Sequence, residues 1–446
     1  PYLKSPYIEE ICLIPQAIDR AGAAVEGLLA LVLPDLDYFR AQGMTNVFET
    51  IRWDMENVGR DLPPYKRPTG LVIVKEGFPR TRLGKIQRHL VQQQFQAERA
   101  REAGPTEAPP SEAEAALLGD EVGRRVLEYL REATQKPAVR LDDNLELDLG
   151  MDSLARVEML VALEGMFDVK IPDEAAAECF TVHEVIERLR ALRGGPAGPG
   201  APSRRRGWGE ILTGSTPAEA QAMVEASSRP SASVITAISR GMSAALFRSV
   251  YRLRVEGLQH VPSHGPMILV ANHCSFFDAF ILAAALPYRT SQQVFYLGFE
   301  WFFRHPLLAR WGRGVRVIPV DMDTYLVRAL QASAVVLQQG RILCVFPEGE
   351  RSVDGRVRPF RKGVGILVKE LKVPVLPAYI SGSFETWPRG QSLPRIHRIG
   401  VRFGPVATPE ALLSGEGPRG ADDFETIAMR LRERVIALGS EKKGSL

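Results

Sequence analysis

A histidine and an aspartate five positions apart have the residue types needed to activate a hydroxyl group. His273 follows a short apolar run, residues 267–271, and Asp278 comes five residues later. A neutral imidazole takes the proton of an attacking alcohol, and a carboxylate on the other ring nitrogen fixes the tautomer and stabilises the imidazolium. The pair therefore predicts general-base chemistry on an alcohol, with no nucleophilic serine required.

This spacing alone is a weak signal, because a histidine that precedes an aspartate is more often structural than catalytic. Three further apolar runs strengthen it, since polar residues follow each of them. Residues 315–320 lead to Asp321, residues 342–346 to Glu348, Gly349 and Arg351, and residues 373–380 to Ser381 and Gly382. Ligands of α/β sheets collect at the carboxyl ends of strands, so we expect four buried strands that end near one site.

The three segments NHCSFFD, FPEGERS and VPVLPAYISG occur in this order between residues 272 and 382. Over roughly residues 250–410 the chain resembles the glycerophospholipid and lysophospholipid acyltransferase family. The resemblance implies an α/β fold, an acyl thioester donor, and a lysophospholipid or glycerol phosphate acceptor. It implies that His273 is the general base and Asp278 its orienting partner. The remaining motif residues would bind the phosphate of the acceptor: Glu348, Gly349 and Arg351.

One position departs from the family pattern and leaves the acceptor open. Asp321 is followed by Met322, where the family usually has an arginine. A guanidinium matches phosphate oxygens bidentately, so we expect Arg351 to carry most of the phosphate binding. A surface salt bridge is the alternative role for Arg351. Three further cations are candidates to assist it: Arg316, Arg361 and Lys362.

A second group of residues predicts a covalently attached phosphate. Ser153 follows LDLGMD and begins a helical pattern of apolar residues. The first turn of a helix favours an anion, although Ser153 could simply cap the helix. Residues 113–193 resemble an acyl carrier protein from end to end. The resemblance implies that Ser153 carries 4′-phosphopantetheine, attached by a phosphopantetheinyl transferase, and that its thiol holds the acyl group.

The first hundred residues contain LPPYKRP at 62–68 and FPRTRLGKIQR at 78–88. Residues 1–103 resemble the small C-terminal subdomain of the acyl-adenylate-forming ligases. In that family the lysine that matches Lys85 contacts the carboxylate and phosphate as the acyl-adenylate forms, although Lys85 could also be an exposed lysine of a basic turn. ATP or AMP would bind only together with the larger nucleotide-binding subdomain, which this sequence lacks. We therefore expect no ligase activity.

Stretches rich in Pro and Gly divide the chain and predict its architecture. We expect a small α+β ligase subdomain at 1–103, a four-helix carrier bundle at 113–193, a flexible linker at 194–231, and an α/β acyltransferase domain at 232–446. The carrier has a net charge of −7 (residues 115–193) and the last domain +11 (residues 233–446). Opposite charges favour docking of the two, and a basic surface favours anionic lipid.

Composition predicts the oxidation state of the cysteines and the relation of the protein to a membrane. The four cysteines lie far apart, with no metal-ligand spacing, which predicts a reduced chain without disulfides or a metal site. No run of about 18 apolar residues predicts a membrane span. Residues 233–254 alternate apolar residues with arginines, which suits a helix either at a membrane interface or on the core. We expect a cytoplasmic protein, peripheral at the inner face of the cell membrane, that binds no nucleic acid.

The whole chain resembles a fused acyl-carrier-protein synthetase and lysophospholipid acyltransferase. Its ligase part would activate a free fatty acid, its carrier would hold it, and its last domain would transfer it. Two alternatives remain open from the sequence. The chain could be a carrier and lipid-docking platform without catalysis, or it could acylate an acceptor that is not a phospholipid.

Overall fold

The computed structural model divides the chain into two compact units, residues 1–205 and 206–446. Apart from isolated gaps of one or two positions, the described residues are 1–95, 120–171, 179–193, 208–213, 221–225, 230–299, 315–320, 326–415 and 421–440. The Pro- and Gly-rich stretches 104–112 and 194–207 lie outside these ranges, and so do Asp321 and Met322.

A three-stranded sheet and two helices form the beginning of the first unit. The strands are β1 (Ile8–Arg20), β2 (Ala23–Pro34) and β3 (Gly70–Ile73), and the helices are α1 (Leu36–Ala41) and α2 (Val47–Gly59). Strand β2 pairs antiparallel with β1 and parallel with β3. The helices bury Phe39, Val47 and Ile51 completely against this sheet, so these residues form a small α+β core.

Three helices with a common apolar core follow in the same unit. They are α3 (Glu121–Thr134), α4 (Ser153–Phe167) and α5 (Val182–Arg193). Each contributes completely buried side chains to the core, including Leu130, Leu163 and Ile186. Residues 172–178 lie outside the described residues, so the predicted four-helix count stays a prediction.

Part of the predicted flexible linker is folded in the second unit. Residues Trp208–Thr213 form a short helix, α6, and its Leu212 is completely buried. The side chain of Gln331 donates a hydrogen bond to the carbonyl of Ile211 at 3.0 Å. Proline and glycine content predicted flexibility for residues 194–207, and the weakly helical passage up to about residue 231 was assigned to the same linker. An apolar face at 208 and 212 is sufficient to pack a short helix there.

Helix α7 (Pro230–Ser249) agrees with the helix predicted for residues 233–254 and ends five residues earlier. Its Phe247 is buried in the core of the second unit, where its ring lies edge-on to that of Phe277. Among the residues that the structure describes, no helix has the length and the apolar character needed to cross a membrane.

A seven-stranded sheet forms the centre of the second unit. Its strands are β4 (Arg254–Glu256), β5 (Met267–Ala271), β6 (Val294–Phe299), β7 (Val317–Val320), β8 (Ile342–Val345), β9 (Val375–Ser381) and β10 (Gly400–Phe403). Their spatial order is β4-β10-β9-β5-β8-β6-β7. All neighbours are parallel except β9 and β10.

The strand order decides which of the predicted clusters meet. Every residue of β5 and β8 is buried, as expected for strands covered on both faces. Strands β9, β5 and β8 are adjacent, so the clusters that follow them share one edge of the sheet. Strand β6 separates β7 from β8, and the predicted cluster at Asp321 lies outside the described residues. The sequence predicted four strands and missed β4, β6 and β10.

Within the described residues, seven further α-helices follow α7 in the second unit. They are α8 (Asp278–Ala285), α9 (Tyr288–Ser291), α10 (Leu326–Gln338), α11 (Gly363–Leu371), α12 (Ser383–Thr386), α13 (Pro409–Leu413) and α14 (Asp423–Ser440). Gly365 of α11 lies so close to α14 that a Cβ at this position would be 2.1 Å from the carbonyl oxygen of Phe424. Helix α8 begins at the aspartate that the sequence predicted to be functional.

Candidate active site

His273 and Asp278 form a hydrogen-bonded pair in the turn between β5 and α8. The Nδ1 atom of His273 lies 2.8 Å from Oδ2 of Asp278. The same carboxylate oxygen accepts hydrogen bonds from the backbone amides of Cys274 at 2.6 Å and Ser275 at 2.8 Å. Three donors therefore hold one oxygen of a completely buried carboxylate. With the proton on Nδ1, the lone pair of the imidazole is on Nε2.

Residues after β8 hold the backbone and the ring of His273. Its backbone amide donates to Oε1 of Glu348 at 2.8 Å, and its carbonyl accepts from the amide of Ser352 at 2.7 Å. The imidazole is stacked on the ring of Phe346, with centroids 4.3 Å apart and an interplanar angle of 18°. The histidine side chain is 23% exposed, so it is fixed in orientation and still reachable from solvent.

Glu348 contacts backbone amides with both of its carboxylate oxygens. Its Oε2 atom accepts from the amide of Arg358 at 2.9 Å, while Oε1 accepts from His273. Burial raises the pKa of Glu348 to about 8, and these two amides act in the opposite direction. We predicted Glu348 among the phosphate-binding residues. Its oxygens instead connect two segments of backbone, so the geometry gives it a positioning role.

Asn272 ties the end of β5 to β9 and was given no role in the sequence. Its side-chain amide donates to the carbonyl of Ile380 at 3.0 Å, and its side-chain oxygen accepts from the amide of Ile380 at 2.7 Å. This asparagine therefore continues the strand pairing with its side chain and fixes the position of the next residue, His273. A polar residue directly after the apolar run 267–271 and directly before the histidine was the signal available in the sequence.

The guanidinium of Arg351 lies on the ring of Phe276, with 3.4 Å between the guanidinium carbon and the ring centroid. Its Nη1 atom is buried and has no hydrogen-bond partner among the described residues. Burial lowers the pKa of Arg351 to about 10, against the attraction of Asp278. A planar cation is thus held three residues after Glu348, whose carboxylate accepts from the amide of His273, and it has a donor available for an anion.

Glu350, the residue directly before Arg351, forms ion pairs with two arginines. Glu350 accepts from Arg358 at 2.6 Å and lies 3.4 Å from Arg389, and each of these side chains is at most 16% exposed. Buried charges of this kind require partners, and here each charge has one of the opposite sign. The network anchors the loop that carries Arg351. The sequence reasoning missed it, because the partners lie 8 and 39 positions from Glu350.

Gly349 has a backbone conformation and a neighbour that both favour glycine. Its φ angle is +77°, and a Cβ built at this position would lie 2.3 Å from Nε of Arg361. A side chain would have to displace Arg361 and adopt a left-handed conformation. Gly349 therefore allows the loop to turn and the arginine to lie against it.

Two of the three cations predicted to assist Arg351 are engaged elsewhere. Arg316 is 4% exposed and donates from Nη1 to the hydroxyl of Thr236 in α7 at 2.8 Å. Lys362 forms an ion pair of 2.5 Å with Asp422. The third, Arg361, is exposed and lies against Gly349. The prediction that Arg316 assists phosphate binding does not fit its burial. The local sequence gives no indication of how deeply this arginine lies.

The two cysteines near the motifs are packing residues, as predicted. Cys274 is 2% exposed and Cys344 is 1% exposed. Burial raises the pKa of both thiols well above the ordinary range. A thiolate nucleophile is therefore disfavoured at either position.

The predicted residues of the first unit occupy a helix start and a turn. Ser153 is the first residue of α4, and Asp152 lies outside the described residues. Lys85 is exposed at the end of a tight turn, in which the amide of Thr81 donates to the carbonyl of Lys85 at 2.8 Å. Gly84 within this turn has a φ of +79°.

Comparison with protein families assigns two of the regions. Residues 252–381 match the family described as Acyltransferase, and these residues contain the His273–Asp278 pair and the Arg351 loop. The second unit contains an acyltransferase domain. Residues 124–189 match the family described as Phosphopantetheine attachment site, and they contain Ser153. The acyltransferase domain and the carrier thus occupy the order expected for the fused architecture.

Individual relatives and solved structures are similar to parts of the chain. A 1-acyl-sn-glycerol-3-phosphate acyltransferase of Brassica napus chloroplasts is 31% identical over 144 residues, which are 31% of this chain and 40% of that protein. The chain therefore spans less than half of that relative's length. The structure of PlsC from Thermotoga maritima, a 1-acyl-sn-glycerophosphate acyltransferase, covers 48% of this chain and 80% of its own, with 23% identity and a TM-score of 0.37. A structure of McyG A-PCP with phenylalanyl-adenylate covers 42% of this chain and 29% of its own, at 17% identity and a TM-score of 0.19.

Proposed function

We propose that the acyltransferase domain moves a fatty acyl group from a phosphopantetheine thioester to a hydroxyl of a lysophospholipid or glycerol phosphate. The observation that carries this proposal is the pairing of His273 with Asp278 beside Arg351. A fixed base and an anion-binding cation on adjacent loops suit an acceptor that bears both a hydroxyl and a phosphate. The similar protein of Brassica napus is named for this acceptor class.

In this mechanism Nε2 of His273 removes the proton of the acceptor hydroxyl while the oxygen attacks the thioester carbonyl. The C–S bond then breaks, and the imidazolium returns the proton to the leaving thiolate. Asp278 stabilises the imidazolium through the 2.8 Å hydrogen bond to Nδ1. Phe346 on one face of the ring, and Glu348 on the backbone amide, keep Nε2 in position.

Arg351 would bind the phosphate of the acceptor. Its buried Nη1 is a donor whose desolvation a phosphate oxygen would offset, and Phe276 holds the guanidinium plane. Glu348 and Gly349 would serve this cation indirectly, by shaping the loop. Arg361 is exposed beside Gly349 and is the remaining candidate to assist.

Helix α7 would bring the domain to an anionic lipid surface. Five apolar side chains spaced four residues apart, four in α7 and one directly after it, are between 39% and 69% exposed: Val234, Ile238, Met242, Leu246 and Val250. Residues four apart lie along one side of a helix, so they form a continuous apolar stripe. Arg248 and Arg252 are exposed nearby, and the domain carries a net charge of +11. Apolar insertion with flanking cations suits anionic lipid.

The carrier would supply the donor. Ser153 would carry 4′-phosphopantetheine, attached by a phosphopantetheinyl transferase, and the arm would bear the acyl group. The N-terminal residues would cooperate with a nucleotide-binding subdomain that activates free fatty acid with ATP, and Lys85 would then contact the reacting carboxylate. Acyl-CoA has the same thioester chemistry and is the second possible donor.

Lipid products decide the proposal. The purified chain is incubated with acyl-CoA, or with its own acylated carrier, and with lysophosphatidate in anionic vesicles, and the lipids are identified by mass spectrometry. We expect diacylated phosphatidate, and none from His273→Ala. Binding to the vesicles without any product would support the docking platform instead. Product formed only with acceptors that lack a phosphate would contradict the role of Arg351.

A further inference from the structure

The carrier, whose described residues lie between 120 and 193, contacts residues 1–95, which we call the N-terminal subdomain, within the first unit. The carrier loop before Ser153 places Glu146 at the start of helix α2, about a hundred positions earlier in the chain. One carboxylate oxygen of Glu146 accepts from the amide of Val47 at 2.7 Å, and the other accepts from the amide of Phe48 at 2.9 Å. First-turn amides of a helix lack partners within the helix, so the carrier caps a helix of its neighbour.

The loop that presents Glu146 is itself rigid. The side-chain oxygen of Asn144 accepts from the amides of Glu146 and Leu147, each at 3.0 Å, and the amide of Asn144 donates to Asp148 at 2.7 Å. Leu147 packs against the apolar core of the N-terminal subdomain. Burial raises the pKa of Glu146 to about 7, and the amides of Val47 and Phe48 act against that increase.

Two ion pairs extend the contact on either side. Nζ of Lys75 lies 2.6 Å from Oδ2 of Asp148. Arg40 lies 3.1 Å from Glu184, and its guanidinium carbon is 5.5 Å from the ring centroid of Phe180. Each pair is partly exposed and contributes little alone. Together with the capped helix and Leu147, they give the contact several independent parts.

We propose that this contact is a resting dock, in which the N-terminal subdomain covers the carrier loop just before Ser153. Glu146 and Asp148 lie seven and five positions before that serine. A protein that binds the acidic loop next to Ser153 competes with Lys75 and with helix α2 for the carboxylates of Glu146 and Asp148. The carrier must therefore leave the dock before its loop is available to a second partner. The effect of the dock on access to Ser153 rests on the proposed carrier function.

The dock is tested in the full chain by hydrogen–deuterium exchange of the segment that contains Val47 and Phe48. Glu146→Ala removes both acceptors, and we expect exchange of these amides to increase by roughly fivefold or more, the loss typical of a helix cap. Glu132→Ala, at an exposed position of α3, is the matched control and leaves exchange unchanged. Equal exchange in the Glu146→Ala chain and the parent chain overturns the dock.

Gating is tested with variants that leave the carrier sequence intact. Arg40→Ala combined with Lys75→Ala removes both ion pairs from the subdomain side. With coenzyme A and a phosphopantetheinyl transferase, we expect Ser153 to gain its arm about three to ten times faster than in the parent chain, as followed by intact mass. If the double variant shows faster exchange of the Val47 and Phe48 amides but Ser153 gains its arm at the parent rate, the dock does not limit access to Ser153 and the gate is overturned. Failure of every variant to load overturns the carrier assignment and the gate with it, while the exchange measurement still decides the dock.

Discussion

Replacing Asp278 with asparagine tests the proposed mechanism at its most buried charge. The amide oxygen of Asp278→Asn can still accept from the backbone of Cys274 and Ser275, so the turn keeps its shape. What is lost is the negative charge 2.8 Å from Nδ1 of His273. At a separation of about 4 Å between charge centres and an effective dielectric constant near 20, this attraction is about 4 kcal/mol. We therefore expect kcat to fall by roughly 10³-fold.

The assay is the initial rate of acyl transfer from acyl-CoA to lysophosphatidate, with thermal unfolding measured in parallel. Asp423→Asn removes an exposed charge from an ion pair with Lys369 and is the matched control, with an unchanged rate. In the His273→Ala background, Asp278→Asn should have little further effect, because the aspartate acts through the imidazole. A full 10³-fold loss in that background would refute this reasoning, and so would a single variant that retains a third of the parent's rate.

Three further predictions concern the acceptor, the membrane and pH. Arg351→Ala should raise the KM for lysophosphatidate by roughly 10- to 100-fold and leave the KM for monoacylglycerol, which has no phosphate, unchanged. Arg356→Ala, at an exposed site, is the control and should change neither KM value. Glutamates at Ile238 and Met242 should reduce binding to anionic vesicles by at least tenfold, measured by cosedimentation, because burial of each apolar side chain contributes about 1.5–3 kcal/mol. The folded pKa of Glu348 is about 8, above its ordinary value of 4.5, so the folded state retains a proton that the unfolded state has lost. Stability should therefore fall by about 3 kcal/mol between pH 5 and pH 8 in denaturant titrations, and Glu348→Gln should lack this component, so parallel pH profiles would contradict the assignment.

The histidine–aspartate pair was predictable from the sequence because its contact is local. His273 and Asp278 are separated by five residues of one strand-to-helix turn, so their pairing depends on little beyond that turn. The buried strands β5 and β8 were predictable for a similar reason, since a parallel strand covered on both faces is apolar throughout. Ser153 was predicted at a helix start, and α4 begins there.

Contacts between distant segments required the tertiary structure. The sequence assigned Glu348 to the acceptor, but its oxygens bond to the amides of His273 and Arg358, 75 and 10 positions away. Arg316 seemed available for a phosphate, and it is buried against Thr236. Polar residue types indicate that a group needs a partner, but they do not identify which distant partner the fold supplies.

Local sequence patterns predict strands but not their order in the sheet. Any apolar run of four to seven residues fits any central position of a sheet, so periodicity cannot place β6 between β8 and β7. The adjacency of β9, β5 and β8 brings Asn272 and Glu348 together around the histidine. The sequence by itself predicted the histidine–aspartate pair and the arginine proposed to do the chemistry. The folded chain decided which groups hold them in place, because positioning depends on neighbours that only packing brings into contact.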